Sequence, residues 1–317
     1  MKAIYAQGSK NYFLLIDEFE EKFEIDKSKF TQWICNKFDV LDGVLFLVDS
    51  SLEDCSGKMI MFNPDGSEAE MCGNGIRIVA RKLYEKINEK IIYIETKTGK
   101  IKIEKIDSNN CLKIFKANIN PVKLDKKYIP INFEIEKNEF IEVKNPFFKY
   151  NINAIRVQNP HIVFIVDTLN FEEINRYGKW VAEHKNIFPE GINLNFVKIL
   201  DKNKIFVITY ERGAGITNSC GTGMSSSAYI CAKLGYCNYD EKISVYNKGG
   251  KVECIVNKDS VDLIGNATFE KEIILNPFNS FKVNSVFSEE IDCYNNYLTE
   301  VKNSLPSDVG KLINDSV

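Results

Sequence analysis

Histidine is nearly missing from this chain of 317 residues, which carries only His161 and His184. Its nine cysteines include no C-x-x-C pair. A zinc site of ordinary ligand spacing is therefore not indicated. Nine is an odd number in a long chain, which speaks against a disulfide framework, and most of the cysteines read as small core hydrophobes. No apolar run approaches the roughly 20 residues needed to cross a bilayer. The opening residues, MKAIYAQGSKNYFLLIDEF, hold no apolar core of signal-peptide length and no small-residue cleavage pattern. A soluble, cytoplasmic protein with no membrane partner is expected. A basic block is missing too: 41 basic and 44 acidic residues are spread along the chain, for a net charge of −3. Nucleic acid is thus excluded as an expected partner.

What is present is ordinary globular composition, 44% hydrophobic and 27% charged, in a length that suggests two domains. The chain also repeats itself. KMIMF (58–62) is strand-like, NPDGSEAEM (63–71) is a turn-rich loop, and CGNG precedes IRIVARKLYEK. There Ile76, Val79, Ala80 and Leu83 fall on one helical face. Two strand-like runs follow within 91–106, around Thr98-Gly99. The same order recurs as KIFVITY (204–210), ERGAGITNS (211–219), CGTG, and MSSSAYICAKLG. In that helix Met224, Ala228, Cys231 and Leu234 are spaced for one face, and Gly235 is placed to end it. A hairpin over 242–256 then turns at Gly249-Gly250. Cys72 and Cys220 lie 148 residues apart, and Gly99 and Gly250 lie 151 apart. This near-constant offset predicts a duplicated α+β domain, with halves at 1–118 and 119–270. Residues 271–317 are read as a return segment and helical extension. Ser288 is its expected N-cap, and Ile291, Tyr294, Leu298, Val301 and Leu305 form an apolar stripe. That helix would dock on its own chain or on a partner subunit, which admits a homodimer.

Each Cys-Gly-x-Gly puts a thiol at a helix N-terminus, where unpaired N–H groups and the helix dipole favour negative charge. A thiol there can titrate near neutral pH. The glycines let the backbone approach a ligand and present N–H groups to an anion such as a carboxylate. A lone motif of this kind is more often a structural cysteine, and duplication can copy a structural cysteine as readily as a reactive one. Two in equivalent places nevertheless suit proton exchange at a chiral carbon. One thiolate removes a proton from one face and a thiol returns one to the other. Fixed N–H dipoles stabilise the charge that develops on the carboxylate.

At these residues the sequence resembles the diaminopimelate epimerase family. FNPDGSEAEMCGNGIR (62–77) and ERGAGITNSCGTG (211–223) are similar to its two cysteine signatures. NPH (159–161) and FPEGINLNFV (188–197) are similar to further motifs, in the family's order. The resemblance implies two pseudo-symmetric halves, each a barrel-like sheet around a central helix, with the active site in the cleft between them. It implies a cofactor-independent, metal-free isomerase that interconverts LL- and meso-2,6-diaminopimelate, in lysine and peptidoglycan-precursor biosynthesis. Cys72 and Cys220 would be its acid/base residues. Gly73, Asn74, Gly221 and Thr222 would hold the reacting carboxylate through backbone N–H groups. Asn11, Asn63, Asn159, Asn193, Glu211 and Arg212 would bind the amino-acid substrate, with His161 and Glu211 supporting the thiols. The residue types suit these roles: guanidinium forks onto carboxylate, Glu211 can pair with ammonium, and the asparagines both donate and accept.

Departures from the family pattern bear on the pocket. QGSKNYF has Gln7, Lys10 and Tyr12 where His, Gly and Asp are usual, and DVLDG (39–43) lacks two glycines of another motif. Ile216 stands where an acidic residue is common. These changes admit a racemase or epimerase of another amino acid, such as histidine or lanthionine. More remotely, they admit a non-catalytic ligand-binding protein on the same scaffold.

Overall fold

The computed structural model describes residues 1–19, 21–22, 24–108 and 111–313. Its helices are α1 (Lys27–Cys35), α2 (Gly73–Tyr84), α3 (Phe171–Glu183), α4 (Gly221–Lys233), α5 (Ser288–Asn303) and the single turn α6 (Ser307–Gly310). Strands supply most of the rest. The chain clusters into two compact units, Met1–Asn118 with Ile264–Ser304, and Ile119–Leu263 with 305–313.

Both units follow one strand pattern. In the first, Lys2–Gly8 pairs antiparallel with Asn11–Asp17, which runs parallel to Gly43–Val48. Next comes Gly57–Phe62, antiparallel, then Ile91–Thr96, parallel, then Gly99–Ile106, antiparallel. In the second, Asn153–Val157 pairs antiparallel with Asn159–Ile165, which runs parallel to Asn193–Asp201. Lys204–Glu211, Lys242–Asn247 and Gly250–Val256 follow as antiparallel, parallel and antiparallel neighbours. Each parallel step needs a crossover, and helices occupy the same steps in both: α1 and α3 at the first, α2 and α4 at the second. The fold is α+β with two repeated halves.

α2 and α4 are the core helices. α4 is buried from Gly221 through Ala232, and α2 from Gly73 through Arg81. The face predicted for α2 is buried, with Ile76, Val79 and Ala80 at 0% exposure. Its opposite side is buried as well, so α2 is enclosed by strands rather than resting on one.

The first unit takes the chain back from residue 264. Thr268–Asn276 pairs along Lys2–Gly8, with Ala3 opposite Ile273, so the chain has already returned to the first unit by residue 264. α5 docks there. Arg81 of α2 forks onto Glu290 at 2.5 Å from each oxygen, donates to Ala267 O, and stacks on Phe269. Cys293, Tyr294, Leu298 and Val301 are buried. Phe287, not Ser288, is the N-cap, and no side-chain cap bond forms. Residues 314–317 of the extension lie outside the described residues. Cys111 and Cys293 form a disulfide across 182 residues of sequence, with Cα atoms 6.0 Å apart. A single bridge is not the disulfide framework that the cysteine count speaks against, and no local spacing signals a bridge of such span. Among the described residues no helix is long and apolar enough to cross a membrane.

The turn at Ser9-Lys10 is held by side chains. Ser9 and Lys10 both take φ of +56° although neither is glycine. That conformation costs an L-residue about 1–2 kcal/mol. Two side chains hold it: Gln7 Oε1 accepts from Lys10 N–H at 3.0 Å, and Asn266 Oδ1 accepts from Ser9 N–H at 3.0 Å.

Candidate active site

The first thiol sits at the N-cap of α2. Cys72 has extended backbone, φ −134° and ψ 116°, and its Sγ accepts from Gly75 N–H at 3.3 Å. The thiol lies 3.9 Å from Asn11 Oδ1, which also accepts from Asn74 Nδ2 at 3.2 Å. Asn74 is in turn fixed by Arg77, whose Nη2 donates to its Oδ1 at 3.0 Å while Nη1 donates to Gly73 O. Arg77 is wholly buried, and its Nε is satisfied by Asn266 O. Asn11 is anchored from behind by Asp42, whose carboxylate takes hydrogen bonds from the Asn11 amide and from Tyr12 N–H. Burial pushes the Asp42 carboxyl up, and those two donors oppose the shift. The structure thus joins Asn11, Cys72, Gly73 and Asn74. Asn63 stands apart in the 63–67 turn, with its Nδ2 donating to Ser67 Oγ.

The second thiol is the N-cap residue of α4, again extended, with φ −120° and ψ 110°. Cys220 is buried, and its Sγ lies 3.6 Å from Thr222 Oγ1. His161 Nε2 is 3.0 Å from the same hydroxyl. Glu211 takes a hydrogen bond from the Cys220 thiol and accepts from Thr217 Oγ1 at 2.7 Å. Burial first, and then the Glu211 carboxylate, push the Cys220 thiol well above its ordinary range. The lowering expected at a helix N-terminus is outweighed here, and Cys220 carries its proton at neutral pH. His161 is driven the other way, to about 3, by burial and then by Arg212 and Arg156. It is a neutral imidazole at any physiological pH.

Arg212 gathers the remaining polar residues of this unit. Its N–H donates to Asn193 Oδ1 at 3.0 Å, Nη2 to Asn159 Oδ1 at 3.4 Å, and Nη1 to Glu190 O at 3.1 Å. Asn159 and Asn193 head neighbouring parallel strands, whose register sets His161 beside Asn193. Two residues were missed by the sequence reading: Asn195, buried on the same strand as Asn193, and Thr209 opposite it. A usable signal was present, since Asn193 and Asn195 share one face of an otherwise apolar strand.

A family model for diaminopimelate epimerase matches residues 4–119 and 153–270. The chain belongs to the diaminopimelate epimerase family. It is 37% identical over 307 residues to the diaminopimelate epimerase of Clostridium acetobutylicum, covering 92% of this chain and 91% of that one. The diaminopimelate epimerase of Methanocaldococcus jannaschii is also 37% identical, over 81% of this chain and 92% of its own. Solved structures share the fold. One is a predicted epimerase from Pseudomonas aeruginosa, with TM-score 0.64, 9% identity, and 88% of this chain and all of that one covered. Another is a hydroxyproline epimerase from Agrobacterium vitis, with TM-score 0.59, 14% identity, and coverage of 90% and 92%. The family places the protein among the isomerases.

Proposed function

We propose that the protein interconverts LL- and meso-2,6-diaminopimelate, with Cys72 and Cys220 as the acid/base pair. The observation that carries this reading is the repeated placement of a thiol at the N-cap of a buried helix, in a chain of this family. Inversion by proton transfer needs a base on one face of the α-carbon and an acid on the other. Cys72 and Cys220 are the two groups we assign to these roles. In the free protein Cys220 is the acid, because burial and Glu211 keep its proton on. Cys72, whose sulfur accepts from Gly75 N–H, is arranged as the base. After transfer the roles are exchanged, so the reverse reaction uses the same two groups.

The backbone N–H groups of Gly73, Asn74, Gly221 and Thr222, at helix starts, suit the substrate carboxylate as negative charge builds on it. Arg212, exposed and braced by Asn159 and Asn193, suits the distal carboxylate, and Asn63 the distal amino-acid end. A cytoplasmic location belongs to the same proposal. The reading is tested by proton NMR of reduced protein in D2O with no added cofactor. Loss of the α-proton signal of LL-diaminopimelate, without loss from histidine, lanthionine, lysine or glutamate, is expected. Exchange of another amino acid in preference would move the substrate and keep the thiols.

A further inference from the structure

We infer that Asn195 is a positioning residue for Cys220: it fixes His161 in one tautomer and so turns the Thr222 hydroxyl toward the sulfur. The inference rests on the proposed role of Cys220. The geometry leaves little freedom. Ile162 O can only accept, so the nitrogen of the Asn195 amide, 3.0 Å away, must face it. The other hydrogen of that nitrogen points at His161 Nδ1, 3.1 Å away. Thr209 Oγ1 donates to Asn195 Oδ1 at 2.9 Å and secures the amide from its far side. His161 Nδ1 is therefore the acceptor and Nε2 carries the hydrogen. Nε2–H donates to Thr222 Oγ1 at 3.0 Å, which turns the single hydroxyl hydrogen of Thr222 away from the ring and toward Cys220 Sγ, 3.6 Å away. When the Cys220 thiol gives its proton to the α-carbon, the thiolate left behind meets a hydroxyl already aimed at it. No reorientation is needed at that moment.

Space has been cleared for this relay. A Cβ on Gly223 would stand 2.5 Å from Asn195 Oδ1 and 2.8 Å from Thr209 Oγ1. The last glycine of CGTG is thus explained by room for the Asn195–Thr209 pair. The first unit supplies the contrast. Strand register sets Phe13 against His161, Leu45 against Asn195 and Met61 against Thr209. All three are buried, and a Cβ on Gly75 would stand 2.8 Å from Leu45 Cδ2, as one on Gly223 would against Asn195. At these three strand positions the frame is apolar in the first unit and polar in the second. The duplicated thiols are chemically inequivalent by construction.

The protein has only two histidines, so long-range proton–nitrogen NMR reads the His161 tautomer directly. Wild-type protein is expected to show an unprotonated Nδ1 and a protonated Nε2, unchanged from pH 5.5 to 8.5. The charged groups bearing on this ring and thiol are Arg156, Arg212 and Glu211. Asn195→Leu copies the first unit. It is expected to lose the single tautomer and to lower α-proton exchange on the order of 10²-fold. Alkylation of Cys220, followed by site in the mass spectrometer, should shift in its pH dependence while that of Cys72 stays within about twofold. Thr209→Val, which removes only the outer anchor, should move the same readouts less, and serves if Asn195→Leu fails to fold. A wild-type Nδ1–H tautomer would overturn the proposal. So would an Asn195→Leu protein with tautomer and exchange intact, or one in which both thiols shift alike. Absence of exchange in wild-type protein would instead defeat the substrate reading, and the tautomer and Cys220 alkylation would still decide the role of Asn195.

Discussion

At the scale of the residue, two cysteines in equivalent places differ in what surrounds them. Both take a helix N–H, Cys72 from Gly75 and Cys220 from Gly223, but Cys220 is buried beside the Glu211 carboxylate, and burial and that charge hold its proton. Replacing either thiol by alanine is expected to lower turnover about 10³-fold, measured as α-proton exchange of LL-diaminopimelate. A more telling case is Cys220→Ala, which should leave the alkylation of Cys72 near its wild-type rate. The pH–rate profile should be bell-shaped, with limbs that belong to the pair. The sign follows from Cys220: its raised pKa keeps the acid form as pH climbs, so activity is lost on the alkaline side only when that thiol ionises. A flat profile across the thiol range would contradict a thiolate–thiol pair. Both cysteines were legible in the sequence because each stands before a glycine pair at a strand-to-helix step, twice. Asn195 was marked by its place beside Asn193 on one face of their strand, but its role was not legible, because such an amide looks the same whether it orients a ring or fills a gap.

At the scale of the element, the helices behind the thiols explain why the motifs tolerate so little change. The apolar stripe of α2 could be read from its spacing, but not the burial of Arg77 and Arg81 on its other side. Periodicity reports which face is apolar, not whether charged neighbours find partners in a later segment. Arg81 finds its partner 209 residues away, in Glu290 of α5. Glu290→Ala should therefore destabilise the protein by about 2–4 kcal/mol in denaturant unfolding, since it leaves a largely buried guanidinium unpaired. Replacing both residues by apolar ones of similar size should cost less. Equal losses in the single and double variants would remove the ion pair as the reason α5 docks. The N-cap of α5 differs from the expected Ser288 for a related reason: Phe287 N–H bonds to Glu270 O, and this pairing with the strand Thr268–Asn276 fixes where the helix begins.

At the scale of the whole molecule, the duplication was visible as a constant offset, but the ownership of residues 264–304 was not. A strand carries no mark of which earlier strand it will pair, and Thr268–Asn276 returns to the chain's first strand. Global stability also carries a signature of the buried imidazole. His161 has a folded pKa of about 3, below the unfolded value near 6.5. Its contribution is complete above about pH 6.5 and is lost as pH falls toward 3, because the unfolded chain takes up the proton first. Unfolding of wild-type protein should become easier between pH 6.5 and 4, and His161→Gln should flatten that slope; an unchanged slope would mean that other groups set it. Two-thiol inversion of diaminopimelate is open to a single experiment. LL-diaminopimelate in D2O is followed by proton NMR with wild-type, Cys72→Ala and Cys220→Ala proteins, reduced and without cofactor. Wild-type protein is expected to show rapid α-proton loss and formation of the meso form, and either variant near-complete loss of both. Inversion at wild-type rate by either single-thiol protein would contradict two-thiol inversion.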